Sequence, residues 1–474
     1  MERTKSWFRV LACFGALALS APAFAAMELY GTSRVIPTWY NNFDFDKSKS
    51  DAATLNEGGW AQGPHVRGEF RLGARAKGEK WSVNILLEAD MIMEKDTVDR
   101  SFYTSSEKGG QPNQGAEFGI ERLGLEYAFD PAFVLKTGWE ITALDIRTGG
   151  LLYGDDHPYI GFYGKMPAGP IDLGYEALYM PIQNRTTAIG VRERWNKNDW
   201  TVWMGKVNAT VDTGMGKLTA SPFYAFSDND ARQANIHYYG AELYGQVGPV
   251  KPALELVGAT GEFKDTSRDI RAWAAFAGVE VPVTKVFNPY AALRFSSGDD
   301  DQDDSKVKGW VGITDIARFT PMIGMDGNIL GEHLAAPASI YGATLYAYAP
   351  ERAVGGNVYG GIGNAGSGNN PGQLLYALGA SGDLSALAPG LSYKTQAFFI
   401  FYDKTDNLVN VRNPGKKVDD YAGTTFDFQV RYALSKNFSM GYIFSTFVPG
   451  DGIRDQVDAN DPAYVNSLTF AWAY

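Results

Sequence analysis

Apolar and polar side chains alternate with a period of two along most of the chain. In the segment 65–77, Val66, Phe70 and Leu72 fall on one side of an extended backbone, whereas Glu69 and Arg71 fall on the other. A turn at 78–79 leads into the segment 81–93, which repeats the pattern. Such alternation indicates strands with one apolar face. Strands of this length exceed the five or six residues common in globular proteins and suffice for a tilted membrane crossing.

The same pattern recurs in at least five further segments: 122–129, 133–141, 171–179, 391–401 and 426–432. Short connections alternate with long ones, an asymmetry typical of transmembrane barrels. We therefore predict an all-β fold, a transmembrane antiparallel β-barrel of about 18 strands (range 16–20) with short periplasmic turns and long extracellular loops. Segments 187–195 and 338–349 remain open as additional strands.

A soluble β-sandwich or β-helix would explain the alternation equally well. It explains less well why the polar face so often carries full charges of both signs. The connection 298–371 is the outlier in length, because structureless loops beyond roughly 15 residues are uncommon unless functional or disordered. Folding into the lumen as a plug, capping the mouth and simple mobility are the open alternatives for it.

The two ends of the chain agree with export to a membrane. Residues 1–25 combine a basic start, a short apolar run and Ala23-Phe24-Ala25, which predicts a cleaved signal peptide. Residues 26–474 are expected to form a single barrel domain. At the other end Leu468, Phe470, Trp472 and Tyr474 alternate with small residues. Such an aromatic strand left unpaired would invite aggregation.

Composition removes several classes of function. The only cysteine is Cys13, so the segment after residue 25 has no disulfide and no thiolate site. The formal net charge is −11, which argues against a nucleic-acid partner. The four histidines are scattered without metal-ligand spacing, and no nucleophile elbow, phosphate loop or haem motif occurs. We therefore expect no enzymatic activity and no cofactor.

In a barrel the polar face lines the lumen, where charges set selectivity. The predicted pore-lining residues are Arg67, Glu69, Arg71, Arg75, Glu88, Asp90, Arg122, Glu126, Lys136, Glu140, Asp172, Glu176, Arg294, Lys394, Asp427 and Arg431. Arg67, Arg71 and Arg75 share one strand face, and Glu88 and Asp90 on the next strand can pair across it. A mutually neutralised wall and a transverse field that orients a polar solute are both open.

Two loops hold further candidates. Asp299, Asp301 and Asp303 belong to the densest acidic run, and repeated carboxylates suit calcium. The run lacks the glycine and terminal glutamate of an EF-hand loop, so a solvated loop is the competing interpretation. The segment 145–157 is a candidate to fold inward and narrow the pore.

Several short stretches resemble known outer-membrane channels. The segment 468–474 resembles the closing strand of Gram-negative outer-membrane barrels, and Leu29-Tyr30-Gly31 resembles the first strand of general porins. Segments 121–127 and 136–139 resemble the paired strands of alginate-export-like channels, and 296–301 resembles a loop entry of that group. The resemblance implies a barrel of 16 to 18 strands in the bacterial outer membrane. Its implied partners are outer-membrane lipid and lipopolysaccharide, the barrel-assembly machinery through the C-terminal strand, and a homotrimer.

The function expected from these patterns is an outer-membrane porin for passive diffusion of small polar or anionic solutes. Two alternatives stay open. One is a barrel that sheathes a multihaem cytochrome, and the other is a polysaccharide-export channel. An outer-membrane hydrolase lacks a convincing catalytic triad or dyad.

Overall fold

The computed structural model describes residues 27–42, 45–48, 65–93, 117–141, 152, 156–183, 199–230, 233–301, 303–310, 312–313 and 371–474. The expected signal peptide and both additional strand segments lie outside these residues. So do most of the 298–371 connection and most of the 145–157 segment.

Nineteen strands and one short helix make up the regular structure of these residues. The strands are β1 (Glu28–Asn41), β2 (His65–Lys77), β3 (Trp81–Ile92), β4 (Glu117–Asp130), β5 (Phe133–Ile141), β6 (Asp156–Ala168), β7 (Ile171–Gln183), β8 (Trp200–Asp212), β9 (Lys217–Asn229), β10 (Ala234–Gly245), β11 (Lys251–Phe263), β12 (Arg268–Glu280), β13 (Asn288–Ser296), β14 (Lys306–Val307), β15 (Gln373–Asp383), β16 (Leu391–Phe401), β17 (Tyr421–Ala433), β18 (Phe438–Pro449) and β19 (Ala463–Ala473). The helix α1 spans Asp451–Val457. No helix among the described residues has the length and apolarity needed to cross a membrane.

The strands form one closed antiparallel barrel. Each wall strand pairs with its sequence neighbours, and β1 pairs with both β2 and β19. The two-residue β14 is not a wall strand: it runs parallel to the start of β12, and β13 pairs directly with β15. The wall therefore has 18 strands, which confirms the predicted fold class and strand number.

The closing seam joins Gly31 to Tyr474. The Gly31 N–H donates to the Tyr474 carbonyl oxygen at 2.9 Å, and the Tyr474 N–H donates to the Gly31 carbonyl oxygen at 3.0 Å. The Tyr474 ring lies over Gly31, where an added Cβ would come within 2.5 Å of the ring. The aromatic C-terminal strand predicted from the sequence is thus the strand that closes the barrel.

The two faces of the wall differ as the alternation predicts. Large apolar side chains such as Leu72, Trp203 and Leu256 are more than half exposed on the outside of the isolated chain. Their inward neighbours Arg71 and Val257 are buried. The apolar outside is the surface that a bilayer covers, because all ladder hydrogen bonds of a closed barrel are satisfied within the wall.

The connections define two ends of the barrel. Eight short turns lie at one end, which we call the short-turn end: 78–80, 131–132, 169–170, 213–216, 246–250, 281–287, 384–390 and 434–437. The longer connections lie at the other, the loop end. Two connections at the loop end, 230–233 and 264–267, have only four residues each, so the asymmetry is incomplete between β9 and β12.

Candidate functional site

Inward-facing ionic side chains follow one another around strands β1–β7, which we call the ionic wall. At its centre Arg71 of β2 donates from Nε to Glu88 Oε1 at 2.8 Å and lies 3.2 Å from Glu69 Oε1. Its Nη2 lies 3.1 Å from Glu121 Oε1. Arg34 of β1 donates from Nε to Glu69 Oε1 at 2.9 Å. Two arginines and three carboxylates thereby form one network across four strands.

Glu121 reaches this network because of a β-bulge. Opposite β3 the register of β4 moves from Arg122 to Ile120 between Leu86 and Leu87, so Glu121 has no partner in the ladder. Ile120 is 55% exposed on the outside, whereas the Glu121 side chain is 13% exposed on the inside. An extra residue in one strand re-aims its side chain in this way. The spacing of Ile120 and Leu123, three apart instead of two, is the signal of the bulge in the sequence.

A second ionic group lies nearer the short-turn end. Lys136 forms an ion pair with Glu176, and its Nζ lies 5.2 Å from the centre of the Tyr159 ring. The Tyr163 hydroxyl donates to Glu126 Oε1 at 3.2 Å. The aromatic faces favour the lysine charge through a cation–π contact. Glu176 therefore neutralises the charge of Lys136, as the carboxylates around Arg71 neutralise that arginine.

The predicted pore-lining residues lie on inward positions of their strands, but in different surroundings. Arg75 pairs with Glu28 at 2.7 Å near the short-turn end and is exposed. Arg294 is buried and donates from Nη1 to Gln373 Oε1 at 2.6 Å. Asp427 is buried and accepts from Gln396 Nε2 at 2.9 Å. Asp172 is exposed next to a short turn.

The remaining predicted residues fall into three sets. Arg122 is half-buried, and its Nε and Nη2 have no hydrogen-bond partner among the described residues. Lys394 and Arg431 line a cavity at the short-turn end. Arg67, Asp90 and Glu140 have described backbones at inward register positions, but their side chains lie outside the described set. The pore-lining role of all these residues stays a prediction.

Strands β8–β12 present a different inner surface near the loop end, which we call the apolar wall. Its buried side chains include Val202, Met204, Ala225, Ile236, Tyr238, Val257, Ala259, Ile270, Ala272 and Ala274. The alternate positions of the same strands, such as Trp203 and Trp273, are exposed on the outside. These strands are therefore apolar on both faces over much of their length.

Two inward-folded segments cover the apolar wall. Leu152 from one and Val307, Trp310 and Ile313 from the other are fully buried in the same cluster. The Trp310 ring lies 6.1 Å from that of Tyr238, at an angle of 70°. The two segments bond to each other where the Ile313 N–H donates to the Leu152 carbonyl oxygen at 2.9 Å. At the residues that are described, both segments predicted as candidates to fold inward do so.

Sequence reasoning missed three groups of inward residues. Arg34 and Glu121 belong to the ionic wall; Lys206, Glu242 and Glu255 are buried below the apolar wall, with Lys206 paired to Glu242. Leu152 and Trp310 were missed as core residues. Lys206, Glu242 and Glu255 alternate with apolar residues in β8, β10 and β11. This alternation could have identified them as inward-facing.

The acidic run at 299–304 forms a compact loop. Asp299, Asp301 and Asp304 each accept from a backbone N–H two residues ahead, and Lys308 pairs with Asp300. The hydrogen bond from Lys308 lowers the pKa of Asp300, whereas burial raises the pKa of Asp299. No group of three or more metal-binding side chains is found among the described residues. Of the three carboxylates predicted as a weak metal candidate, those of Asp299 and Asp301 hold turns of this loop.

The loops of β13–β19 interlock above the barrel. The Gly298 N–H donates to Asp403 Oδ2 at 2.9 Å, and Asn407 Nδ2 donates to the Asp299 carbonyl oxygen at 2.9 Å. In α1, Gln456 Nε2 donates to the buried Tyr402 hydroxyl at 2.7 Å. Burial raises the pKa of Tyr402, which stays protonated and able to donate. Hydrogen bonds between these connections therefore hold this side of the loop end together.

Several solved structures that are similar to this chain are outer-membrane porins of Pseudomonas. Pseudomonas aeruginosa OccK2 (OpdF) in complex with glucuronate shares 14% identity at a TM-score of 0.53, covering 95% of this chain and 99% of that one. P. aeruginosa OpdK with vanillate shares 10% identity at 0.52, covering 95% and 100%. P. aeruginosa OccK5 (OpdH) shares 12% identity at 0.51, covering 95% and 99%.

No family model and no curated protein matches the chain. At these identities the likeness establishes the fold, a closed 18-stranded barrel of the outer-membrane porin type.

Proposed function

We propose that the protein is an outer-membrane channel for passive diffusion of small polar or anionic solutes. One observation carries the proposal: the strands close into an 18-stranded ring whose apolar face points outward and whose ionic face points inward. Barrels of 16 to 18 strands are wide enough to enclose an aqueous channel, whereas eight-stranded ones are filled by their side chains. The short-turn end would face the periplasm and the loop end the outside of the cell.

The chemistry of the lumen supports diffusion without a covalent step. Arg71 and Lys136 lie on the inner face, and each is balanced by carboxylates, so the lumen wall offers a solute polar groups without a strong net charge at these two positions. Conduction needs binding that is favourable enough for entry and weak enough for exit. Two of the similar porins carry glucuronate and vanillate, both carboxylates, which supports small anions as the solute class here.

Planar-bilayer recording tests the proposal. Purified protein in a lipid bilayer with KCl on both sides should give steady open steps of nanosiemens order. A folded barrel that stays silent would overturn the channel. Outer-membrane fractionation of the expressed protein tests the location separately, and haem co-purifying with the barrel would favour the cytochrome sheath instead.

A further inference from the structure

The inner face at the short-turn end of β13 and β15–β17 contains a polar cavity of about 220 Å³. It is lined by Lys285, Asn288, Ser381, Gly382, Asp383, Ser392, Tyr393, Lys394, Gln429 and Arg431. At ~30 Å³ per water molecule, it has room for about seven waters. A single small organic ion could replace most of them.

The sheet register builds this cavity from adjacent strands. Ser381 of β15 pairs with Lys394 of β16, which pairs with Gln429 of β17. One step nearer the short-turn end, Ser392 pairs with Arg431. On the far side Arg431 faces Gly441 of β18, which has no side chain to fill the space. Two cations therefore sit on neighbouring strands beside an open volume.

The charge balance of the cavity differs from that of the ionic wall. Three lining residues are cationic, and the single carboxylate, Asp383, already accepts from the Ser385 N–H at 2.7 Å. Among the described residues Arg431 forms no ion pair, and its buried Nε has no hydrogen-bond partner. Lys285 interacts electrostatically with Asp383. By contrast, Arg71, Arg75 and Lys136 each have a carboxylate partner.

The cavity also contains an unused hydrogen-bonding group. Gln429 is 2% exposed, and its Oε1 has no partner among the described residues. A buried amide group without a partner is costly, and a polar occupant or ordered water relieves that cost. The site thus combines excess positive charge with polar groups of both kinds.

We propose that this cavity is a binding site for a small carboxylate at the short-turn exit of the channel, with Lys394 and Arg431 as the charged ligands. A guanidinium and an ammonium on adjacent strands match the two oxygens of a carboxylate by charge-assisted hydrogen bonds. Lys285 adds charge at the rim. The proposal rests on the proposed channel function for its role, since a solute would dwell here before leaving the barrel.

The test measures binding directly in detergent, so it does not depend on an open channel. The purified full-length protein is titrated with succinate, and saturation-transfer NMR follows the ligand, with neutral succinamide as the matched ligand control. Succinate should bind saturably, and its affinity should fall with added salt. Succinamide should not displace bound succinate. Arg431→Gln and Lys394→Gln should each weaken succinate about tenfold or more, the loss expected for a charge-assisted hydrogen bond.

Lys251→Gln is the matched control variant. Lys251 lies at the same end of the barrel on β11 and is paired with Glu280 at 2.7 Å, so its removal changes net charge equally without touching the cavity. Heat-modified gel migration checks that every variant is folded. If one of the two cavity variants fails to fold, the other is enough for the test. The proposed site is wrong if succinate does not saturate the wild type. It is also wrong if Lys251→Gln lowers the affinity for succinate as much as the cavity variants do. Binding that meets these conditions in a barrel without conductance upholds the site and overturns the channel.

Discussion

The ionic wall and the apolar wall are built from the same kind of strand, yet the inner surface of one is charged and that of the other is apolar. Around Arg71, side chains of both signs neutralise one another and leave the surface polar. Around Tyr238, the inward side chains are apolar, and the chain covers them with Leu152 and Trp310. An apolar patch in a wet tunnel must be covered, whereas an ionic one can stay open to water. At the residues that the structure describes, the segments with Leu152 and Trp310 narrow the lumen on the side of the apolar wall.

The largest effect is expected at the apolar wall. Trp310→Ala removes a fully buried indole, and such truncations cost about 3–5 kcal/mol of the free energy of unfolding. The segment around 306–313 should then detach from Tyr238, which raises single-channel conductance. Trp203→Ala, on the outer face of β8, is the control and should leave conductance unchanged. Equal conductance in Trp310→Ala and wild type would show that this segment does not narrow the pore.

An intermediate effect is expected at the ionic wall. Arg71→Ala leaves Glu69, Glu88 and Glu121 without their shared cation, a loss of roughly 3 kcal/mol for a broken buried pair. The lumen gains negative charge, so the reversal potential in a KCl gradient should shift toward cation preference. Arg71→Lys keeps the charge and should restore much of the selectivity. Unchanged selectivity in Arg71→Ala would mean that ions pass elsewhere.

The smallest effect is expected at the edge of the ionic wall. Arg75 and Glu28 are both more than half exposed, and exposed ion pairs contribute little. Arg75→Ala should leave thermal unfolding within error of the wild type in a detergent melt. A clear loss of stability would place this pair in the barrel seam, where Arg75 also lies 5.5 Å from the Tyr30 ring.

The contrast between the walls also separates what could be predicted from what could not. Alternation in β2 and β3 predicted that Glu88 and Asp90 can pair with the arginines of β2, and in the structure Arg71 pairs with Glu88. The alternation of short and long connections and the aromatic C-terminal strand predicted a closed barrel of about 18 strands. These features are local, since each depends on residues a few positions apart or on adjacent strands.

The missing parts depend on irregularity or distance. Glu121 was missed because a single bulge reverses which side of β4 faces inward. The apolar wall was missed because β8–β12 are apolar on both faces near the loop end, and alternation there carries no information about the lumen. Trp310 and Tyr238 are far apart in the sequence, and no spacing of residues predicts their contact.

The seam between Gly31 and Tyr474 limits when the barrel can close during folding. The Tyr474 hydroxyl also donates to the Arg71 carbonyl oxygen, a contact between residues 403 positions apart. Pairings of such sequence separation form slowly, because the chain between them has to be gathered first. Translation must therefore run through almost the whole message before the ring can close. Until then the strands have unpaired edges, which favour aggregation.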